Sequence, residues 1–337
     1  MSAIWTLIDL LAGRRDPATL DAAAWEEVIS VARAEALATT LAERLANAAV
    51  PEAVAALFAD LSAAGPVQQT QALWEAEMAR RTLTPVGVRF VLLKGTAYAA
   101  ANLPNAAGRQ IGDLDILIDA DDLPRAEAAL LAAGWEWVKS DPYDDAYYRN
   151  HMHELPPLIH RERDRMIDVH HTILPLTHRA RPDAAAMLAD AVQSLPGGNG
   201  SFLLLSPPDM VIHCAAHVMA DGDLAGGLRN LWDFHLLADL REDEWQRAVE
   251  RASRQKLAEP LCRCARLATY LFGEQTVRDN VSLTLTDRMF LRAITARDDW
   301  ARPTRPILRL AFYIRSHWLR MPMPMLARHL WTKWRKA

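Results

Sequence analysis

Three aspartates are the residues of this 337-residue chain whose types and spacing could bind a divalent cation. Asp113 and Asp115 stand two apart in the apolar segment 113–118, and side-chain alternation along a strand puts both carboxylates on one face. Asp168 stands among apolar residues in a second strand-like segment, 166–172. Neighbouring carboxylates repel each other unless a cation lies between them, and Mg²⁺ prefers oxygen ligands. The pattern therefore predicts Mg²⁺ (or Mn²⁺) bound by all three aspartates.

Plainer interpretations of these residues stay open at this stage. A D-x-D pair is frequent on protein surfaces, and Asp168 could instead form an ion pair with one of the many nearby arginines. His170 shares a strand face with Asp168 and could touch a substrate or the metal. Histidines are frequent around this segment, which leaves a zinc site open, although no H-E-x-x-H spacing occurs. These histidines are His151, His153, His160, His170, His171 and His178.

The elements that would position these residues follow from the hydrophobic pattern. Apolar and β-branched runs predict strands, and segments with helical periodicity between them predict helices. The predicted strands are 88–93, 113–118, 135–139 and two within 151–172 joined by a charged turn at 161–165. The predicted helices include 21–37, one after 94–96, 121–133, one from 206 through His217, and 230–240, and Pro51 and Pro66 are placed at helix starts.

The order of elements predicts an α+β protein, with a small mixed sheet embedded between helical regions. We expect an N-terminal helical region (1–84), an α/β core (85–178), a C-terminal helical domain (179–300) and a basic tail (301–337). Composition supports a folded protein with much helix, since 51% of the residues are hydrophobic and only 14 are glycine. The net charge of -4 gives no general argument for nucleic-acid or membrane binding.

The compartment is predicted from what the sequence lacks. The three cysteines form no C-x-x-C pair, so neither a disulfide framework nor a zinc finger is expected. No signal peptide and no apolar run of membrane-spanning length is recognised. These features predict a cytoplasmic protein. Peripheral membrane contact is an open alternative, because the tail 301–337 contains nine Lys or Arg residues and no acidic residue. RNA binding by the tail, or simple packing of its aromatic residues, stays equally open.

Two histidines and an Arg–Asp pair are spaced four apart on the predicted C-terminal helices. His213 and His217 share one helix face, as do Arg229 and Asp233 on the next helix. The plain interpretation is packing and a helical ion pair. The functional alternative is that they line the cleft opposite the metals.

Four motifs carry a resemblance to a known family. They are LLKGTAY at 92–98, RQIGDLDILI at 109–118, a helix that ends in AAGW at 132–135, and IDVHH at 167–171. Together they resemble an uncharacterised bacterial nucleotidyltransferase family of the DNA polymerase beta-like superfamily. The motifs cover about 91–172, and a weaker similarity continues through 207–217 and 228–240. The chain departs from the wider superfamily in having Thr96 in place of serine and a longer gap before Asp113.

The resemblance implies a role for each motif residue. Asp113 and Asp115 would hold two metal ions, and Asp168 would hold the ion that activates the attacking hydroxyl. Gly95 and Thr96 would contact phosphate at a helix N-terminus, and Lys94 and Arg109 would neutralise phosphate charge. The implied nucleotide-binding residues are therefore Lys94, Gly95, Thr96, Arg109, Gly112 and His170. For Lys94 and Arg109, a solvated lysine at a strand end and a solvated loop charge remain the alternatives.

The activity implied by the resemblance is transfer of a nucleoside monophosphate from a nucleoside triphosphate to an unidentified hydroxyl. The acceptor could be a small molecule, a sugar, a protein or an RNA. Three alternatives stay open: a non-catalytic nucleotide-binding or scaffold protein that retains the fold, a toxin-like enzyme that modifies RNA or protein, and a metal-dependent hydrolase.

Overall fold

The computed structural model describes most of the chain and places it around one buried apolar cluster that extends from Ala3 to Phe312. The described residues are 2–139, 141–194, 201–220, 222, 224, 226–273, 282–320 and 331. Among them, no helix is long and apolar enough to cross a membrane.

Four helices precede the sheet: α1 Ala3–Leu11, α2 Ala22–Ala34, α3 Ala38–Arg44 and α4 Glu52–Leu83. Helix α2 begins after Asp21, whose carboxylate accepts a hydrogen bond from the Ala24 N–H, and it buries Trp25 and Val28. The predicted helix start at Pro66 is wrong, because Pro66 lies inside the 32-residue helix α4. A proline costs one helical hydrogen bond. Helix α4 packs against α3 and against β2 and the helices that flank it in the chain. We infer that these contacts offset the lost hydrogen bond.

Within the described ranges, seven strands form one mixed sheet in the order β3-β4-β5-β2-β1-β7-β6. They are β1 Phe90–Leu92, β2 Asp113–Ile118, β3 Trp135–Trp137, β4 Leu158–His160, β5 Met166–His170, β6 Val192–Gln193 and β7 Leu203–Leu204. Strand β2 pairs antiparallel with β1 and parallel with β5, so it lies at the centre. The predicted α+β fold is thus confirmed. Strands β6 and β7 also belong to this sheet, although they lie after residue 178, where the predicted α/β core ends. The predicted division into domains itself stays a prediction.

Helices connect the strands from β1 to β4: α5 Lys94–Ala100 follows β1, α6 Leu123–Ala132 follows β2, and α7 Pro142–His151 follows β3. Helix α7 was not predicted, because its sequence is too polar to show an apolar face. It is attached to α6 by Arg149, whose guanidinium pairs with Glu127 at 2.7 Å. The charged turn predicted at 161–165 does join β4 to β5.

The C-terminal part of the chain is helical: α8 Ala184–Ala189, α9 Pro207–Ala220, α10 Gly227–Leu237, α11 Glu242–Arg254, α12 Ala258–Phe272, α13 Leu285–Ile294 and α14 Pro306–Arg320. Helix α9 packs against α10, α11 and α12, and α10 also contacts the loop between α5 and β2. The observed α10 begins and ends three residues earlier than the predicted helix 230–240. This shift places Arg229 inside the helix, one turn before Asp233.

Helix α14 carries the described part of the predicted basic tail. It is attached to the domain by Phe312, which stacks edge-on with Phe290 at 4.8 Å between ring centroids. Its other side exposes Ile307, Leu310 and Ile314. Residues 321–330 and 332–337 lie outside the described residues. The predicted contact of 301–337 with a membrane or RNA therefore stays a prediction.

Candidate active site

The three aspartates converge because of the central strand pairing. Strands β2 and β5 run parallel, with Asp115 directly opposite Asp168 and Asp113 opposite Met166. Adjacent strands put paired residues on the same face of the sheet. One carboxylate oxygen from each of Asp113, Asp115 and Asp168 lies within 4.8 Å of the others. The structure thus brings together the three carboxylates that the sequence selected from distant segments.

Asp168 lacks a compensating partner in this cluster. Its Oδ1 atom is buried and has no hydrogen-bond partner among the described residues. Burial and the charges of Asp115 and Glu154 raise the pKa of Asp168 to about 7. Among the described residues no arginine forms an ion pair with Asp168, and in the nearby turn Arg163 pairs with Glu75 while Arg165 donates to Gln71. A bound cation would satisfy both the orphaned oxygen and the accumulated negative charge.

Asp115 is the buried centre of the cluster and is held ionised by two neighbours. Lys94 Nζ donates to Asp115 Oδ1 at 2.5 Å, and His170 Nε2 lies 3.0 Å from the same oxygen. Burial opposes ionisation, but the Lys94 charge and the His170 hydrogen bond hold the pKa of Asp115 well below its usual range. Both bonds are made to Oδ1, so Oδ2 is the oxygen available to a metal.

Lys94 is held in place by the start of α5. It follows β1 directly and adopts a left-handed backbone conformation with φ of 47°. Its side chain is only 22% exposed. The alternative of a solvated lysine at a strand end is therefore wrong. The charge of Asp115 raises the pKa of Lys94 even though burial acts to lower it. The ammonium group thus stays charged beside the carboxylates.

Gly95 and Thr96 occupy the first turn of α5, as predicted. A Cβ atom at Gly95 would lie 2.8 Å from Arg109 Nε and 3.1 Å from Ile111 Cγ1, so a larger residue would displace the two side chains that cross this turn. The Thr96 hydroxyl is buried without a hydrogen-bond partner in the described part of the chain. Backbone N–H groups in a first helical turn have no intrahelical acceptor. Phosphate contact by Gly95 and Thr96 remains a prediction.

Arg109 is part of a buried charge network rather than a solvated loop charge. Its guanidinium pairs with Asp233 Oδ2 of α10, while Asp233 Oδ1 accepts from Arg229 Nη2 at 2.7 Å. Arg229 also donates to the Asn105 carbonyl at 3.0 Å and to the Thr40 hydroxyl. The predicted helical ion pair of Arg229 and Asp233 is thus present. Asp233 joins α10 to the loop that precedes β2 and fixes Arg109 over Gly95.

The loop before β2 depends on a close backbone approach at Gly108. This residue has φ of +64°, and a Cβ there would lie 2.6 Å from backbone atoms of Thr39 and Thr40. The Thr40 hydroxyl also donates to the Gly108 carbonyl at 3.1 Å. From the sequence, Gly108 was recognised only as a loop residue. No motif indicated that it approaches the backbone of another segment.

Gly108→Ala should destabilise the protein by about 2 kcal/mol or more, because the left-handed backbone costs about 1–2 kcal/mol and the backbone clash adds to it. Urea unfolding of both proteins measures this difference. Gly112→Ala is the matched control, since a Cβ there meets no atom within 4 Å. Equal stability losses in the two variants would contradict the close backbone approach assigned to Gly108.

The Gly112→Ala protein also tests the predicted nucleotide-binding role of Gly112, through its nucleotide-transfer activity.

Helix α9 contains the two histidines, His213 and His217, that the sequence placed on one helix face. His213 is buried, and burial together with the charge of Lys94 lowers its pKa well below the ordinary value. The same two causes lower the pKa of His217 to about 3. Both imidazoles are therefore neutral. That they line the cleft opposite the metals stays a prediction.

Glu154 is a site residue that sequence reasoning missed. It precedes β4, forms an antiparallel bridge with His170, and lies 3.6 Å from His170 Nδ1. Burial raises the pKa of Glu154. Only its position next to His153 in the sequence could have drawn attention to it, because 152–157 shows no strand pattern.

Three convergent carboxylates on a mixed sheet, next to a helix that starts with Lys-Gly, are the arrangement expected of the nucleotidyltransferase class. Residues 21–273 match the family described as uncharacterised nucleotidyltransferase, and the chain belongs to that family. The family membership predicted from the motifs is thus confirmed. Among solved structures, the nucleotidyltransferase toxin MenT4 from Mycobacterium tuberculosis H37Rv is similar, with 15% sequence identity and a TM-score of 0.33 over 80% of this chain and 91% of that chain. No curated protein sequence matches the chain significantly.

Proposed function

We propose that this protein transfers a nucleoside monophosphate from a nucleoside triphosphate to a hydroxyl acceptor. Asp113, Asp115 and Asp168 would hold the Mg²⁺ (or Mn²⁺) ions that the reaction needs. The observation that carries the proposal is the convergence of these three carboxylates, with the orphaned Asp168 Oδ1 among them. Hard oxygen donors, one of them exposed at Asp113, fit a cation that keeps positions open for phosphate oxygens.

In the proposed reaction the acceptor oxygen forms a bond to the α-phosphorus, and the bond from that phosphorus to the bridging oxygen breaks. Pyrophosphate leaves, and the acceptor proton passes to solvent. When bound, the metal ions lower the pKa of the acceptor hydroxyl and neutralise charge on the leaving group. The protein contributes positioning and positive charge. Lys94 contacts Asp115, and we expect its ammonium group to contact a phosphate oxygen as well.

The energetics of the cluster favour an enzyme over a scaffold that merely retains the fold. Like charges placed together in a partly buried site disfavour ionisation and weaken the folded state. A scaffold gains nothing from keeping Asp113, Asp115 and Asp168 together, whereas a site that binds cations requires them.

Asp113→Ala and Asp115→Ala should each reduce nucleotide transfer by about 1,000-fold or more, since metal ligands supply several kcal/mol of transition-state stabilisation. The measurement is label transfer from each of the four α-³²P triphosphates with Mg²⁺ or Mn²⁺, using RNA, protein and small-hydroxyl acceptor pools. Asp121→Asn, which changes an exposed aspartate just after β2, is the matched control. Wild-type activity in either alanine variant would refute the proposal. Phosphate release without labelled acceptor would favour the hydrolase alternative.

A further inference from the structure

A second group of potential ligands lies beside the aspartate cluster, and two of its three members, His153 and Glu154, have no part in the proposed transfer. His153 Nε2 and His170 Nδ1 each lie 3.6 Å from Glu154 Oε2. One ligand atom from each of these three residues lies within 4.8 Å of the others. The three residues thus surround a common point with two imidazoles and one carboxylate.

The backbone fixes this group firmly. The His171 N–H donates to the His153 carbonyl at 2.9 Å, and the Leu155 N–H donates to the Val169 carbonyl at 2.9 Å. Because of these two hydrogen bonds, the segment 153–155 lies alongside the end of β5. His153 and Glu154 are therefore attached to the same strand as His170, and their spacing does not depend on a free loop.

The orientation of His170 leaves one of its nitrogens without a partner. Its Nε2 lies against Asp115 Oδ1, a carboxylate oxygen that can only accept, so this nitrogen carries the proton. Its Nδ1 points towards the Glu154 carboxylate, and it is buried with no hydrogen-bond partner among the described residues. The His170 side chain is only 3% exposed, so bulk solvent does not surround this nitrogen. A nitrogen lone pair facing a carboxylate is satisfied when a cation lies between them.

The two separations to Glu154 fit a small tetrahedral ion. Zinc bonds of about 2.0–2.1 Å place neighbouring tetrahedral ligands about 3.3 Å apart. The two separations of 3.6 Å to Glu154 are close to that value. Imidazole nitrogen favours Zn²⁺ and similar transition ions over Mg²⁺. The bond from His170 to Asp115 also matches the carboxylate–histidine–metal arrangement that orients metal-binding histidines.

We propose that His153, Glu154 and His170 form a site for a divalent transition ion of the zinc class, separate from the site of the three aspartates. A water molecule would complete four-coordination. The ion would hold the His170 ring in the orientation in which it supports Asp115. This site does not depend on the transfer reaction, so it can exist whether or not the proposed function is correct.

The test uses binding of Co²⁺ and Zn²⁺ to the full-length protein after removal of metal with a chelator. Co²⁺ should give visible absorption bands typical of mixed nitrogen and oxygen coordination, and Zn²⁺ should abolish them by competition. His153→Ala and the isosteric Glu154→Gln should each weaken Co²⁺ binding by about 100-fold or more. This loss is larger than the roughly 10–100-fold loss of metal affinity that follows when a residue contacting a ligand, and not the ligand itself, is changed. Circular dichroism checks that both variants are folded.

Asp113→Asn is the matched control, because it alters the aspartate cluster and leaves the histidine group intact. It should keep the Co²⁺ spectrum, and His153→Ala should keep wild-type Mn²⁺ affinity measured by electron paramagnetic resonance. A Co²⁺ spectrum unchanged in His153→Ala would overturn the proposal, as would loss of the spectrum in Asp113→Asn alone. A wild-type protein that takes up no Co²⁺, with both His170 ring nitrogens protonated by ¹⁵N NMR, would identify an ion pair with Glu154 instead.

Discussion

Asp168→Asn is expected to abolish nucleotide transfer and at the same time to stabilise the metal-free protein. The first effect follows from the loss of a metal ligand, and should be about 1,000-fold or more. The second follows from the position of Asp168, whose Oδ1 is buried without a partner and whose pKa is raised to about 7 by burial and neighbouring carboxylates. Asparagine has a similar shape and carries no charge, so it relieves this repulsion.

The stability gain depends on pH in a defined direction. Between the ordinary pKa of 3.8 and about 7, folded metal-free protein keeps a proton on Asp168 that the unfolded chain has released. Stability of the wild type therefore falls as pH rises through this window, by up to about 1.4 kcal/mol per pH unit, and then levels off. The variant lacks this contribution. Its advantage should be small near pH 4 and reach about 2–4 kcal/mol by pH 8.

Urea unfolding in the presence of a chelator at several pH values measures this difference. Glu162→Gln, an exposed change in the turn before β5, is the control and should show no such trend. Adding saturating Mg²⁺ should stabilise the wild type and leave Asp168→Asn unchanged, because only the intact cluster binds the ion. A variant that is inactive but also less stable at pH 8 would show that Asp168 has a structural partner and would contradict the metal assignment.

Asp233→Ala should cause one of the largest losses of stability available from a single substitution, about 3–5 kcal/mol. Asp233 is 2% exposed and is the shared acceptor of Arg109 and Arg229. Its removal leaves two buried guanidinium groups without their carboxylate. Because Arg109 lies directly over Gly95, we also expect weaker triphosphate binding in any folded fraction. Chemical unfolding and binding of a non-hydrolysable triphosphate measure the two effects.

The control for this prediction is Asp243→Ala on α11. Asp243 also has two arginine partners, Arg241 and Arg247, but its side chain is 63% exposed. Exposed ion pairs contribute less than about 1 kcal/mol, so this variant should unfold almost like the wild type. Similar losses in both variants would mean that the buried network does not carry the energy assigned to it.

The local sequence was sufficient to identify the central elements of this protein. The apolar runs at 88–93, 113–118 and 166–172 predicted β1, β2 and β5, because strand formation here depends on short-range hydrophobic pattern. Alternation within β2 also predicted that Asp113 and Asp115 share a face, and the family was recognised from contiguous motifs. Predictions failed where local pattern and packing disagree. Pro66 indicates a helix start locally, yet the contacts of α4 carry the helix through it.

Only the tertiary structure determined which residues from distant segments of the chain come into contact. The parallel register of β2 and β5 puts Asp168 opposite Asp115, although the two lie 53 positions apart in the chain. The clamp of Asp233 on Arg109 and the approach of Glu154 to His170 depend on the same kind of contact. Periodicity records which way a side chain faces within its own element. It does not record which other element lies opposite, because that is fixed by the packing of the whole buried core.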